Sequence, residues 1–296
     1  MTTMEHLYDP DSVLMRRATH ASLAIAFTLI VLKLGAFFLT GSVALLSSLI
    51  DSLLDSIASF VNYFAVKQSL EPADNEHRFG HGKAEPLAGL AQAAFITGSS
   101  LFLAFEAIDR LLHPVAVQHG GIGIGVMLIS LILTIILVLY QRYVINKTGS
   151  LAIRADAVHY VSDISMNLGV IAALVLAYFF NLDEADPIFA LIIAAYIVYS
   201  VWQIIAQSLD QLMDKELPDE DRDRIDEIAR GNPDVIAIHD LRTRTSGKNV
   251  FIQLHLELNG DMNLYQAHTI ADDVQARLEE AFPGADVIIH EDPAEI

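Results

Sequence analysis

The chain has 296 residues, of which 53% are hydrophobic, and it carries a formal net charge of −19. A mean hydropathy of +0.42 is unusual for a water-soluble protein, and so acidic a chain is a poor match for nucleic acid. The sequence has no cysteine, which excludes disulfides and thiolate metal ligands. It also lacks the HExxH, GxSxG and P-loop patterns, so we do not expect an enzyme.

Hydrophobic residues are concentrated before Leu209, and acidic and polar residues follow it. This change predicts a transmembrane domain over residues 1–208 and a cytoplasmic domain over residues 209–296. Apolar stretches that approach the ~20 residues needed to cross a hydrocarbon core of ~30 Å predict transmembrane helices. Six lie near residues 18–40, 42–66, 85–112, 121–143, 153–180 and 187–208.

The Lys and Arg residues of these stretches and their loops fall almost entirely on one side of the predicted membrane, with Arg110 as the chief exception. Because basic loops stay in the cytoplasm, we expect a multi-pass protein of the inner (plasma) membrane with both termini cytoplasmic. The second and fifth stretches then cross the membrane in opposite directions. Lys33 lies mid-span in the first stretch, where it either snorkels to the interface or pairs with a carboxylate.

Two pairs of ionisable residues lie within the second and fifth stretches, Asp51 with Asp55 and His159 with Asp163. Each pair is spaced i, i+4, which places both side chains on one face of a helix. With a rise of 1.5 Å per residue, all four lie about 12 to 22 Å from the cytoplasmic helix ends, near the midplane. Each charged side chain at this depth is disfavoured by roughly 2.5 to 3.5 kcal/mol.

Hydrogen bonds between helices are one explanation for these pairs, but three carboxylates and an imidazole repel one another unless a cation joins them. A tetrahedral site of this composition suits Zn²⁺, and by ligand type it also accepts Cd²⁺, Fe²⁺, Co²⁺ or Mn²⁺. Without metal, the site would hold three negative charges in a medium of low dielectric constant, which favours proton uptake. A divalent ion must then displace those protons, so the pattern predicts that metal and protons use the same ligands in turn.

The segment between the second and third stretches contains Asp74, His77 and His81, with Gly80 and Gly82 beside His81. The glycines allow a tight fold that brings potential ligands together. A solvated polar loop is the alternative, because His and Asp are ordinary surface residues.

The second domain reads as helix, strand, strand, helix and strand, an αββαβ order that predicts a ferredoxin-like α+β fold. The predicted elements cover residues 219–230, 235–244, 250–258, 264–282 and 285–290. Several potential ligands are scattered over this domain, namely His239, His255, His268, His290 and Asp292. In the second strand His255 points away from the apolar face. A metal site and ordinary surface histidines both remain open.

The DxxxD and HxxxD pairs, the six apolar stretches and the α+β tail together resemble the cation diffusion facilitator family, in particular its bacterial zinc and ferrous-iron exporters. The resemblance implies a homodimer in membrane lipid that exports Zn²⁺ from the cytoplasm in exchange for protons. It assigns the transport site to Asp51, Asp55, His159 and Asp163. Histidine in the fifth-stretch pair implies that Zn²⁺ and Cd²⁺ are preferred over Mn²⁺, and Fe²⁺ is a further candidate.

The same resemblance gives roles outside the transport site. Asp74, His77 and His81 match a loop metal site. The five cytoplasmic ligands match a binuclear site in which Asp292 bridges two ions and steadies the dimer, so Zn²⁺ would be structural as well as transported. Lys83 and Asp214 resemble a charged pair that links the two domains.

Two other functions share some of these features. A passive metal channel would use the same residues but needs weak binding of several ions rather than one closed cage. A membrane-anchored metal sensor would use the cytoplasmic ligands, although an anchor gains nothing from buried carboxylates.

Overall fold

The computed structural model describes residues 9–41, 43–112, 121–180 and 185–294. The chain forms two compact units, Met1–Ser208 and Leu209–Ile296. The domain roles that the sequence suggests for these units stay predictions. Each unit has its own hydrophobic core.

The described part of the first unit consists of six long helices, the last of which ends at Leu212, just beyond the boundary. They are α1 (Pro10–Thr40), α2 (Val43–Ser69), α3 (Ala84–Leu112), α4 (Gly121–Thr148), α5 (Leu151–Phe180) and α6 (Ala185–Leu212). Among the described residues, five helices are long and apolar enough to cross a membrane, namely α1, α2, α3, α4 and α6. Six spans therefore stay a prediction.

Local signals fix both ends of α1. Asp9 caps the N-terminus, accepting a hydrogen bond from the Ser12 backbone N–H (3.3 Å), and Pro10 occupies the first turn. Proline suits this position because its missing N–H would be unpaired there in any case. Gly41 ends the helix with φ of 64°, a left-handed conformation that glycine adopts without steric penalty.

Helix α5 lies in the middle of the first unit and contacts α1, α2, α3 and α4. It also packs against α6, where Ala155 joins Ile197 and Ile204 in one buried cluster. Gly89 permits a close approach of α3 to α6, because a Cβ there would lie 2.7 Å from Ser208 Oγ. Many large apolar side chains elsewhere in this unit, such as Phe38 and Phe102, are exposed, as expected for helices that face lipid.

The second unit is a three-stranded sheet covered by helices. Its elements are α7 (Asp219–Arg230), β1 (Ala237–Ser246), β2 (Asn249–Leu258), α8 (Leu264–Ala281) and β3 (Asp286–Pro293). The strand order is β1-β2-β3, with β1 antiparallel and β3 parallel to β2. This agrees with the predicted αββαβ order, while the ferredoxin-like comparison stays a prediction.

The alternating pattern of β2 gives the sheet one apolar face. Ile252, Leu254 and Leu256 are buried against Val274 and Leu278 of α8. Helix α8 begins with a capping box in which Asn263 and Gln266 satisfy each other's backbone N–H groups. The opposite face of β2 carries His255 and is therefore free of core packing.

Candidate functional site

Asp55, His159 and Asp163 meet inside the first unit, where α2 packs against α5. His159 Nε2 lies 3.1 Å from Asp55 Oδ1 and 3.8 Å from Asp163 Oδ2. One ligand atom from each residue falls within 4.8 Å of the other two. A single metal ion with bonds of about 2 Å can span such a group.

His159 is 6% exposed, and its buried Nε2 faces the carboxylates of Asp55 and Asp163. The His159 ring is also held by edge contacts with Phe95 and Tyr160. This nitrogen is therefore positioned to bind a ligand.

Asp51, the fourth residue predicted for this site, lies outside the group of three. Its side chain is exposed and one turn away from Asp55 on α2. It lines the same cavity of about 1130 Å³ as the other three residues. The structure thus brings three of the four predicted ligands together and places the fourth on the wall of the shared cavity.

Lys33 also lines this cavity. Its Nζ donates hydrogen bonds to Ser52 Oγ (2.6 Å) and to the Ser48 carbonyl (3.1 Å), both on α2. The amine is therefore held by polar groups of α2, and both alternatives open from the sequence, snorkelling to the interface and pairing with a carboxylate, stay predictions.

Asp156 is a buried carboxylate that the sequence analysis missed. It is 1% exposed, and its Oδ2 accepts hydrogen bonds from Ser22 Oγ (2.6 Å) and Gln141 Nε2 (2.7 Å). Ser59 Oγ and Tyr160 Oη extend the network. These five residues join α1, α2, α4 and α5 one turn from His159. The available signal was a third ionisable residue on the face of α5 that carries His159.

The loop between α2 and α3 brings together Asp74, His77 and His81. His81 Nε2 lies 3.1 Å from His77 Nδ1 and 3.5 Å from Asp74 Oδ2. Backbone N–H groups of His77 and Glu76 donate to Asp74 Oδ1, and these bonds lower the pKa of its carboxyl group. His81 Nδ1 is buried without a hydrogen-bond partner among the described residues. All three predicted loop ligands thus share one potential site.

The histidines of the second unit lie side by side across the sheet. His239 on β1 pairs in register with His255 on β2, and His255 pairs with His290 on β3. Their rings stand 5.0 Å and 4.6 Å apart between centroids. Residues that are widely separated in sequence therefore form a single row of imidazoles on the face opposite the core.

Asp292 lies in the centre of this row. Its Oδ2 accepts a hydrogen bond from His255 Nδ1 (2.8 Å) and lies 3.2 Å from His239 Nε2, while Oδ1 lies 3.2 Å from His290 Nε2. The hydrogen bond from His255, together with the three neighbouring imidazoles, lowers the pKa of the Asp292 carboxyl group. A carboxylate whose two oxygens face different histidines is suited to bridge two ions.

His268 stands apart from this group. It lies near Asp272 and Glu291, at 3.6 Å and 3.7 Å, rather than in the cluster of His239, His255 and Asp292. Two acidic residues beside the cluster were not predicted, Glu257 at 3.2 Å from His239 and Asp240 at 3.7 Å from His255. Asp240 occupies an irregularity in β1 with φ of 50°, which alternation alone does not reveal.

Lys83 and Asp214 belong to different compact units, and their predicted pairing stays a prediction. Within the second unit Asp214 Oδ1 lies 3.5 Å from Arg244. Arg244 also stacks over the Phe251 ring at 4.2 Å.

Comparison with known proteins covers nearly the whole chain. Residues 19–213 match the cation efflux transmembrane domain, and residues 217–294 match the cation efflux protein cytoplasmic domain. The chain is 48% identical over 283 residues to the cation-efflux pump FieF of Salmonella choleraesuis and to that of Salmonella typhimurium, covering 96% of this chain and 94% of each relative. A solved structure of a proposed zinc transporter, CzrB, is 33% identical over 27% of this chain and 99% of its own, with a TM-score of 0.26.

Proposed function

The chain belongs to the cation efflux family, the cation diffusion facilitators, and from this premise we propose that it is an antiporter that exports Zn²⁺ in exchange for protons. The family consists of multi-pass membrane transporters that move divalent metal ions, and its members are not enzymes. The identity of the ion, the coupling to protons and the transport residues belong to the proposal.

The convergence of Asp55, His159 and Asp163 is the observation that carries this proposal. Two carboxylates and a buried imidazole nitrogen are hard and borderline donors that suit Zn²⁺, Cd²⁺ and Fe²⁺. Asp51 is the fourth ligand of the predicted Asp3His tetrahedron in this proposal, because it lies one turn from Asp55 on α2 and lines the same cavity.

Proton coupling follows from the charge of these ligands. Three carboxylates around one buried point repel each other when no cation is present, so protons bind in its place. A metal ion must remove those protons to reach the same lone pairs. Alternate loading of one site by metal and by protons is what an antiporter requires.

The loop and cytoplasmic clusters bind resident ions in this proposal. Imidazole and carboxylate donors lie close enough in both clusters to hold Zn²⁺. In the cytoplasmic cluster Asp292 bridges two ions, one near His239 and His255 and the other near His290, and His268 joins the second ion only after moving from its contacts with Asp272 and Glu291. The transported ion binds instead at the group of Asp55, His159 and Asp163.

We assign the remaining features in the same way. The first unit spans the inner membrane six times with both termini in the cytoplasm, and the second unit is a ferredoxin-like cytoplasmic domain through which two copies dimerise. The family match of this second unit includes its role in dimerisation. Lys83 and Asp214 form the charged link between the domains.

Zinc uptake by proteoliposomes tests the proposal. Wild-type protein should take up Zn²⁺ faster when a pH gradient is imposed, and Asp55→Ala should lose at least about 90% of that coupled flux because a ligand is missing. Asp219→Ala is the matched control, since Asp219 is an exposed carboxylate on α7 with its side chain 92% accessible.

Three outcomes separate the alternatives. Coupled flux that Asp55→Ala abolishes supports antiport. Flux that ignores the pH gradient indicates a channel and overturns the coupling. Absence of flux in wild-type protein, despite zinc binding to the cytoplasmic cluster, indicates a sensor and overturns transport itself.

A further inference from the structure

We propose that Lys33 is the internal counter-charge of the transport cavity: a tethered cation that limits the affinity of the site for metal so that the bound ion can leave. This inference rests on the proposed function and deepens it. It gives a role to a residue on α1, a helix that contributes none of the predicted ligands.

The position of the Lys33 amine is the first support. Its Nζ is anchored on Ser52 Oγ and on the Ser48 carbonyl. Ser52 directly follows Asp51 in the chain and is buried. The amine is therefore fixed beside the segment of α2 that carries two of the predicted ligands.

The charges that act on this amine are the second support. They belong to Asp51 and Asp55 on α2 and to Asp163 on α5, and all four residues line one cavity. Glu106 of α3 lines the same cavity. Every carboxylate of the predicted transport site thus interacts electrostatically with Lys33.

A simple count of formal charge shows what the lysine changes. Asp51, Asp55 and Asp163 carry −3 when ionised, and Lys33 brings the sum to −2. A divalent cation then neutralises the set, whereas without Lys33 a net negative charge would remain after the ion had bound. Excess negative charge in a medium of low dielectric constant holds a cation more tightly and slows its release.

A purely structural role is the competing explanation, because the two hydrogen bonds also join α1 to α2. The charge role and the structural role predict different Zn²⁺ affinities for three variants. Lys33→Met removes the charge and the hydrogen bonds, Lys33→Arg keeps the charge and donors, and Ser52→Ala keeps the charge but removes one anchor.

The experiment measures Zn²⁺ affinity and transport on full-length protein. Affinity is measured by competition with a chelating dye at fixed pH, in a background in which His77, His81, His255 and Asp292 are replaced by Ala. Transport is measured in proteoliposomes with the native loop and cytoplasmic residues. Lys67→Met serves as the matched control, since Lys67 is an exposed lysine on α2.

If Lys33 acts through its charge, Lys33→Met binds Zn²⁺ at least about tenfold more tightly. Removing one positive charge from a cavity of effective dielectric constant ~20 changes the dissociation constant of a cation by at least about this factor. Its KM and kcat should both fall, because release becomes slow. Lys33→Arg, Ser52→Ala and Lys67→Met should stay within about threefold of wild type.

Unchanged or weaker binding by Lys33→Met overturns the inference, as does an equal effect of Ser52→Ala, which would show that the anchor matters rather than the charge. If Lys33→Met protein is not monodisperse, Lys33→Arg provides the test. A Lys33→Arg protein whose Zn²⁺ affinity differs from that of wild type by more than about threefold also counts against the inference. These results concern Lys33 alone: if the wild-type protein shows Zn²⁺ flux coupled to the pH gradient, the proposed function still holds. If the wild-type protein shows no coupled flux, the proposed function is wrong whatever the Lys33 variants do.

Discussion

The three candidate sites use the same donor types but differ in how the rest of the protein holds them. His159 is buried and its Nε2 faces Asp55 and Asp163. Asp74 is half exposed and is fixed by two backbone N–H groups, and Asp292 is fixed by imidazoles. Removing water strengthens every interaction with a charge. The group of Asp55, His159 and Asp163 is therefore the one in which a single charge has the greatest effect.

His255→Ala tests the arrangement around Asp292. The hydrogen bond from His255 is the first cause of the lowered Asp292 pKa, so its removal should raise that pKa back toward the ordinary value. The measurement is an NMR titration of metal-free protein labelled with ¹³C at the Asp carboxyl groups.

His268→Ala provides the control for this titration, because the contacts of His268 in the described structure are with Asp272 and Glu291. Its Asp292 signal should titrate as in the wild-type protein. An Asp292 pKa that is the same in His255→Ala and wild type would show that the neighbouring imidazoles, rather than this bond, stabilise the carboxylate.

Sequence reasoning identified individual ligands to different degrees. The i, i+4 pairs were predictable because the helical period alone places their side chains on one face. Neither the row of His239, His255 and His290 nor the separate position of His268 was predictable, since both depend on the register of three strands. Asp156 was missed because a single Asp in a helix does not reveal its partners on three other helices.

At the scale of elements, α5 organises the first unit through polar contacts as well as apolar ones. Its N-terminus is held by Glu85 of α3, which accepts hydrogen bonds from Ser150 Oγ and from the Ala152 backbone N–H. Arg154 reaches Gln207 and Gln203 on α6. These contacts position the helix that carries two of the predicted transport ligands.

Asp156→Ala should weaken the contacts of α5 with α1, α2 and α4. The hydrogen bonds from Ser22 and Gln141 would lose their acceptor, leaving buried donors unpaired. We expect a loss of about 3 kcal/mol, equivalent to a fall of roughly 6 to 12 °C in Tm. Thermal unfolding of the detergent-purified protein by circular dichroism measures this shift.

Glu71→Ala, at an exposed position outside the helices, should leave Tm within about 1 °C. A Tm for Asp156→Ala equal to that of this control would contradict the view that the network joins the four helices. Asp156→Asn, which keeps one acceptor oxygen, should fall between the two.

Element boundaries show where hydropathy is informative. The apolar stretch predicted a first helix near residues 18–40, whereas α1 begins at Pro10, because the Asp9 cap and the polar first turns extend it beyond the apolar segment. In the same way β3 continues to Pro293 and so carries Asp292 in a pairing position opposite Glu257. Hydropathy predicts the buried centre of an element, and capping and pairing determine its ends.

At the scale of the whole molecule, metal binding is proposed for both compact units but with opposite demands. A transported ion must leave its site, whereas an ion that steadies a dimer must stay. The structure provides different means in each unit. In the first, an amine lies on the wall of the same cavity as the carboxylates, and in the second, a carboxylate has its two oxygens directed at histidine rings.

Removal of metal should therefore weaken the dimer through the cytoplasmic cluster alone. In detergent at low micromolar protein, treatment with a chelator should shift wild-type protein from dimer toward monomer, and added Zn²⁺ should reverse the shift, because ligand that binds only the dimer stabilises it by mass action. Asp292→Ala should stay equally dissociated with and without Zn²⁺. Asp55→Ala, the matched carboxylate of the membrane site, should respond as wild type does even though its transport is lost. Mass photometry measures the monomer and dimer populations directly. If added Zn²⁺ still shifts Asp292→Ala toward the dimer, the dimer does not depend on a bridging role of Asp292.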